Sequence, residues 1–202
     1  MTADMLKPRE RRHAQTRQAI LDAARQLILE QGTDGLSMRA IAERIDYSAA
    51  GLYEYFDSKE AIVEAVCDQG HQRLTAAMAA VDPALPVDAY MVGIGRAYIR
   101  FALQYPDYFN LMFTSLSGQT ASGMMDEDSS YLYLLKGVER GIDSGVFAVH
   151  EGYGPEEIVY HAWALVHGIA TLRTTVFRAI PAELDQADEA VLWAFMRGLK
   201  QA

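Results

Sequence analysis

The chain has 202 residues, half of them apolar and 22% charged, which fits one globular domain or one plus a small module and argues against a disordered chain. A lone cysteine, Cys67, excludes an internal disulfide and a multi-thiolate metal site, and no stretch reaches the ~20 apolar residues that cross a bilayer, so the expectation is a cytoplasmic protein with no membrane partner. The net charge of −9 argues as a total against a polyanionic partner, but residues 1–60 hold 9 of the 18 cations and 10 of the 27 anions, a net of −1, and the remainder carries −8.

The positive charge leads the chain. Lys7, Arg9, Arg11, Arg12 and Arg17 stand against Asp4 and Glu10, and such a basic arm ahead of an acidic body suits either a solvated tail or a local nucleic-acid patch. Ile20, Ala24, Leu27, Ile28 and Gln31 then recur at helical spacing, predicting a helix over about 13–31 that stops at Gly32. Thr33-Asp34-Gly35 is turn chemistry. Ser37 has N-cap chemistry for a short helix ending near Arg44, Asp46-Tyr47 makes a tight turn, and Ser48 caps a second short helix running to about Tyr55. A long helix follows over about 58–80, with Ile62, Val66, Gly70, Leu74 and Ala77 on one side. Asp82, Pro83 and Pro86 break the chain.

Further helices are predicted over about 87–104, 106–114, 127–143, 155–178 and 182–200, punctuated by Pro106, Gly141, Gly145, Gly152, Pro155 and Pro181. Residues 115–126 read as an exposed or mobile loop. The expected fold is all-α. It has an N-terminal arm and three-helix helix-turn-helix head (1–57), a connecting helix (58–81) and a larger helical body (82–202).

Within the head, Ser37-x-x-x-Ile41-Ala42-x(9)-Leu52-Tyr53-x-Tyr55-Phe56-x-x-Lys59-x-x-Ile62 resembles the N-terminal domain of the tetracycline-repressor-type (TetR) family of transcriptional regulators. The family pattern usually has Gly where this chain has Asp46, and Asp tolerates the left-handed backbone better than most residues. The resemblance implies double-stranded DNA as partner. It places Ser37, Tyr53, Tyr55 and Lys59 at phosphates, Arg39 toward a base edge, and Ser48, Ala49 and Gly51 facing bases. Arg12 and Arg17, in the basic arm, would reach neighbouring phosphates or the minor groove. Gly51 stands where relatives often place a hydrogen-bonding side chain.

In the body, Tyr98, Phe101, Tyr105-Pro106, Tyr108-Phe109 and Leu111-Met112-Phe113 are similar to a stretch in one subgroup of that family, in which it precedes a Trp-x-x-x-His-Gly element, here Trp163 to His167-Gly168. Met91, Tyr98, Phe101, Met112, Phe113, Tyr131, Leu134, Trp163 and His167 are candidates to line a cavity for a small, unidentified apolar effector, with plain core packing as the alternative for each. The 155–178 helix is apolar on most sides and the last helix carries apolar residues at three- and four-residue steps. Leu165, Ile169, Leu172, Val191, Phe195 and Leu199 are therefore the candidate homodimer interface, and the family resemblance implies an intersubunit four-helix bundle there.

Metal, cofactor and catalytic sites are not expected. His161 and His167 lie about 240° apart around a helix, and Glu157 with His161 is a pair at i, i+4 and no more. Cys67 and His71 share a helix face but the sequence offers no oxyanion site and no Gly-rich phosphate loop. The resulting expectation is a ligand-responsive regulator, most simply a repressor released from a palindromic operator by its effector. The alternatives are an activator or corepressor-dependent regulator, or a helical small-molecule-binding protein or enzyme with a vestigial head.

Overall fold

The first helix, α1 (Pro8–Gln31), begins ahead of the predicted residue 13. Pro8 sits in its first turn, where the missing N–H costs nothing, and the Glu10 carboxylate accepts the Lys7 N–H at 2.9 Å. The leading cations are thus turns of a helix and not an extended arm. In the computed structural model, residues 7–114, 129–179 and 184–200 are described; the predicted loop at 115–126 lies outside them. The chain divides into two compact units, Met1–Gln69 and Gly70–Ala202.

In the first unit, α1 buries Ile20, Leu21, Ala23, Ala24 and Leu27, and Gly32 ends it with φ 75. α2 (Met38–Arg44) starts as predicted, with the Ser37 Oγ accepting the Ala40 N–H at 3.1 Å. Asp46 adopts φ 52, the left-handed turn the sequence required. α3 (Ala49–Leu52) is capped by the Ser48 Oγ, which accepts the Gly51 N–H at 3.0 Å, and it is shorter than predicted because Tyr53–Tyr55 turn. α4 (Lys59–Ala79) has residues in both units. Leu36, Ile41, Ala42, Leu52, Phe56, Ile62 and Val66 complete the core of the first unit.

The second unit is built around α5 (Val87–Gln104), which packs against α6 (Pro106–Thr114), α7 (Ser130–Asp143), α8 (Pro155–Thr174) and α9 (Asp185–Leu199). Close approach depends on glycines: Gly95 faces Leu192 and Val166, and Gly141 lies directly under the ring of Phe147. α8 ends short of the predicted residue 178. The Thr174 and Thr175 hydroxyls donate to the Ala170 and Thr171 carbonyls at 2.8 and 2.6 Å, offering the last turn alternative partners. Arg173, only 7% exposed, pairs with Asp185 and Asp188 and so ties α8 to α9. Among the described residues the extended pairing is limited to isolated bridges, Phe147 with Lys200 and His150 with Tyr153. The fold is all-α, with a helix-turn-helix head and a larger helical body.

Candidate functional site

The head surface follows from its caps and turns. Ser37 and Ser48 spend their oxygens as acceptors for backbone N–H groups, which fixes both hydroxyls at helix starts. Arg39 stands in the first turn of α2 with its side chain 86% exposed, held by Glu43 across one turn at 2.8 Å; that hydrogen bond and the Glu43 charge raise its pKa further. Tyr53 is 56% exposed. Lys59, Tyr55, Ala49 and Gly51 are half-buried, while Arg12 and Arg17 are exposed on α1. The Arg17 guanidinium lies 4.8 Å over the Phe56 ring, which orients it without neutralising it. Tyr55 stacks on His13 at 4.5 Å and meets Tyr47 edge-on at 6.3 Å. A hydrogen bond with Tyr55 raises the Tyr47 pKa.

In the body, a polar relay sits inside an aromatic cluster. The Trp163 Nε1–H donates to the Tyr98 hydroxyl at 3.3 Å, and Tyr98 lies 2.9 Å from the His167 Nδ1. An indole N–H can only donate, so the Tyr98 oxygen accepts and its own hydrogen is free to go to His167 Nδ1, leaving the imidazole proton on Nε2. Burial pushes the Tyr98 pKa up and the His167 pKa down, so both groups are neutral near pH 7. Phe113 and Phe109 close on the imidazole at 4.7 and 5.3 Å between ring centres. Four of the nine predicted cavity residues, Tyr98, Phe113, Trp163 and His167, are thereby brought together.

The others are dispersed. Met112 is fully buried near Gly70, Met91 is buried beside Gly137, and Tyr131 and Leu134 are half-buried on α7. Phe101 lines a separate open groove of about 310 Å³ with Arg73, Ala97 and Arg100. On α8 and α9, Leu172 and Val191 are exposed at 47% and 38%, Leu165, Ile169 and Phe195 are half-buried, and Leu199 is drawn into the core at 4%. Tyr160 and Val176 extend the exposed apolar surface of this region. A methyl group added at Gly168 or Gly198 would meet nothing. Among the described residues no group of three or more His, Cys, Asp or Glu side chains could hold a metal ion, and no helix is long and apolar enough to cross a membrane.

Two family models match the chain. The model for bacterial regulatory proteins of the tetR family matches residues 20–66, and that for the tetracyclin repressor-like C-terminal domain matches residues 91–195. The chain belongs to the TetR family. Among curated proteins it is 24% identical over 157 residues to the uncharacterized HTH-type transcriptional regulator YobS of Bacillus subtilis, covering 78% of each chain. It is also 41% identical over 61 residues to the HTH-type transcriptional regulator UidR of Escherichia coli K12, a match that spans 30% of this chain and 31% of that one. Among solved structures, a protein of unknown function from Rhodococcus sp. RHA1 superposes with a TM-score of 0.75 at 26% identity, over 92% of this chain and 95% of that one. A TetR-family regulatory protein from Rhodococcus RHA1 shares the fold, with a TM-score of 0.71 at 18% identity over 92% and 97%. This TetR-family chain is a DNA-binding transcriptional regulator.

Sequence reasoning missed three features of this TetR-family chain. Phe109 joins the aromatic cluster, and its place in the Tyr108-Phe109 pair beside Phe113 was the available signal. The Arg173 clamp was hidden because its acids lie 12 and 15 residues onward. Tyr47 was assigned only to a turn, and its spacing of four from Gly51 and eight from Tyr55 carried the missing information.

Proposed function

We propose that this regulator is a homodimeric repressor that holds a palindromic DNA operator and releases it when a small apolar effector binds the body. The observation that carries the DNA side of this reading is the exposed set of Arg39, Tyr53, Ser37 and Ser48 around the short, capped α2 and α3, with half-buried Lys59 opening α4. Tyrosine and serine hydroxyls with a lysine suit phosphate contacts, which position the protein, and Arg39 supplies the side chain best suited to a guanine edge. The operator is tested by mobility shift on the duplex upstream of the protein's own reading frame, across salt. A steep salt dependence and a palindromic footprint are expected. Arg39→Ala is expected to weaken operator binding by about 1–3 kcal/mol and relax preference at one position per half-site. Unchanged affinity and selectivity would remove Arg39 from base reading.

The dimer rests on the apolar surface of α8 and α9, where Leu172 and Val191, with Val176 just beyond α8, remain exposed in the single chain. A twofold pairing of such a surface presents two heads to two half-sites. Leu172→Glu is expected to shift the protein to monomer in light scattering and to abolish the palindromic footprint; a dimeric Leu172→Glu protein would move the interface elsewhere. The effector site rests on the cluster around His167. A cluster of a neutral imidazole, a neutral phenol and three further aromatic rings favours an uncharged ligand. Release follows when that ligand binds one body state more tightly than the other, with α4 the continuous helix common to both units.

A further inference from the structure

The turn between α2 and α3 has a consequence for base reading. Asp46 is left-handed at φ 52 and the Tyr47 N–H donates to the Ala42 carbonyl at 2.9 Å, which brings the Tyr47 side chain alongside α3. A methyl group on Gly51 would stand 2.6 Å from Tyr47 Cε1 and 3.1 Å from Cδ1. Carbons in contact rest at about 3.5–4.0 Å, so the Tyr47 ring already fills the space that a side chain at 51 would take. The ring is nevertheless 41% exposed. It is supported by Tyr55, which meets it edge-on at 6.3 Å, and Tyr55 in turn stacks on His13 of α1 at 4.5 Å. Ala49 and Ala50 carry only methyl groups, and the Ser48 oxygen is committed to the Gly51 N–H.

We propose that Tyr47 is a specificity-determining residue whose ring packs on the C5-methyl of a thymine in each half-site, in place of the contact that a side chain at 51 would make. This rests on DNA binding through α3. The face of an aromatic ring is apolar, and the thymine methyl is the apolar feature of a base edge in the major groove.

The experiment takes the full chain, Tyr47→Phe and Tyr47→Ala through enrichment from a randomised duplex library, with circular dichroism to check folding. Wild type and Tyr47→Phe are expected to enrich the same sequence, with thymine at one position per half-site, and Tyr47→Ala to lose preference at that position alone. Deoxyuridine in place of that thymine is expected to weaken the wild type about fourfold, the loss of one buried methyl contact, and to leave Tyr47→Ala unchanged. The deoxyuridine measurement on the wild type needs no variant, so an absent effect overturns the contact even if Tyr47→Ala fails to fold, while the comparison with Tyr47→Ala assigns it to Tyr47 and not to Ala49. An unaffected wild type, or the same thymine enriched by Tyr47→Ala, overturns the role of Tyr47. A wild type that enriches no sequence overturns DNA binding itself and this role with it.

Discussion

Gly141→Val is expected to destabilise the body by about 3 kcal/mol or more, the upper end of what overpacking a core costs. A Cβ at 141 would overlap the ring of Phe147, which is 1% exposed and fills the space over α7. The ring cannot retreat easily. The N–H groups of Val146 and Phe147 both donate to the Gly141 carbonyl at 3.0 Å, so the backbone carrying Phe147 is fastened to the residue beneath it. Gly168→Ala is the control. Its Cβ would meet nothing within 4 Å, and an exposed helical Gly→Ala change gains up to about 1 kcal/mol. Urea unfolding of both variants checks the pair: the midpoint falls for the first and holds or rises for the second. Equal losses would mean that Phe147 does not occupy the space over Gly141.

Arg173→Met is the second large effect, at about 2–3 kcal/mol. The guanidinium is buried, Asp188 is 15% exposed and Asp185 is 67% exposed. The loss lies below the full cost of breaking a buried pair because Asp185 is returned to water while Asp188 is not. Burial already raises the Asp188 pKa above its ordinary value, and Arg173 pulls it back down through its charge and its hydrogen bond. Without Arg173 the carboxyl rises further. A carboxyl with a raised folded-state pKa takes its proton in the folded protein before the unfolded one, so acidification favours the fold. The gap between wild type and Arg173→Met is therefore expected to be largest near neutral pH and to shrink toward about pH 5. Urea midpoints of both proteins at the two pH values measure it. A gap that is constant or widens would show that Asp188 is not the stranded charge.

Much of the head was legible because its determinants are local. Ser37 and Ser48 announce helix starts through their own hydroxyls, Gly32 ends α1, and Asp46 occupies the left-handed turn with the next-best residue after glycine. Helix ends were less legible. α3 and α8 stop before their apolar pattern does, since the turn at Tyr53–Tyr55 and the back-bonding hydroxyls of Thr174 and Thr175 outweigh periodicity. In the body, Trp163 and His167 share a helix face at a spacing of four, which the sequence shows. Their meeting with Tyr98 joins residues 65 and 69 positions apart, which it does not. The same limit applies along α9: Val191 and Leu199 belong to one apolar pattern, yet the fold leaves the first in solvent and buries the second.

The two cap serines shape how this regulator can drift to new targets over generations. Each Oγ accepts a backbone N–H, so its own hydrogen is left to donate, in the proposed complex to a phosphate from Ser37 and to a base edge from Ser48. In that proposed complex one atom serves both the integrity of a helix and the grip on the duplex. Losing it removes about 1 kcal/mol of capping before any contact is counted. Such positions resist change whatever the operator becomes. Arg39 has no such double duty; it is bound only to a neighbour on its own helix and otherwise faces solvent. If Arg39, Ala49 and the Tyr47–Gly51 pair read bases as proposed, altered operator preference in descendants of this chain is channelled through them, with Ser37 and Ser48 standing still between them.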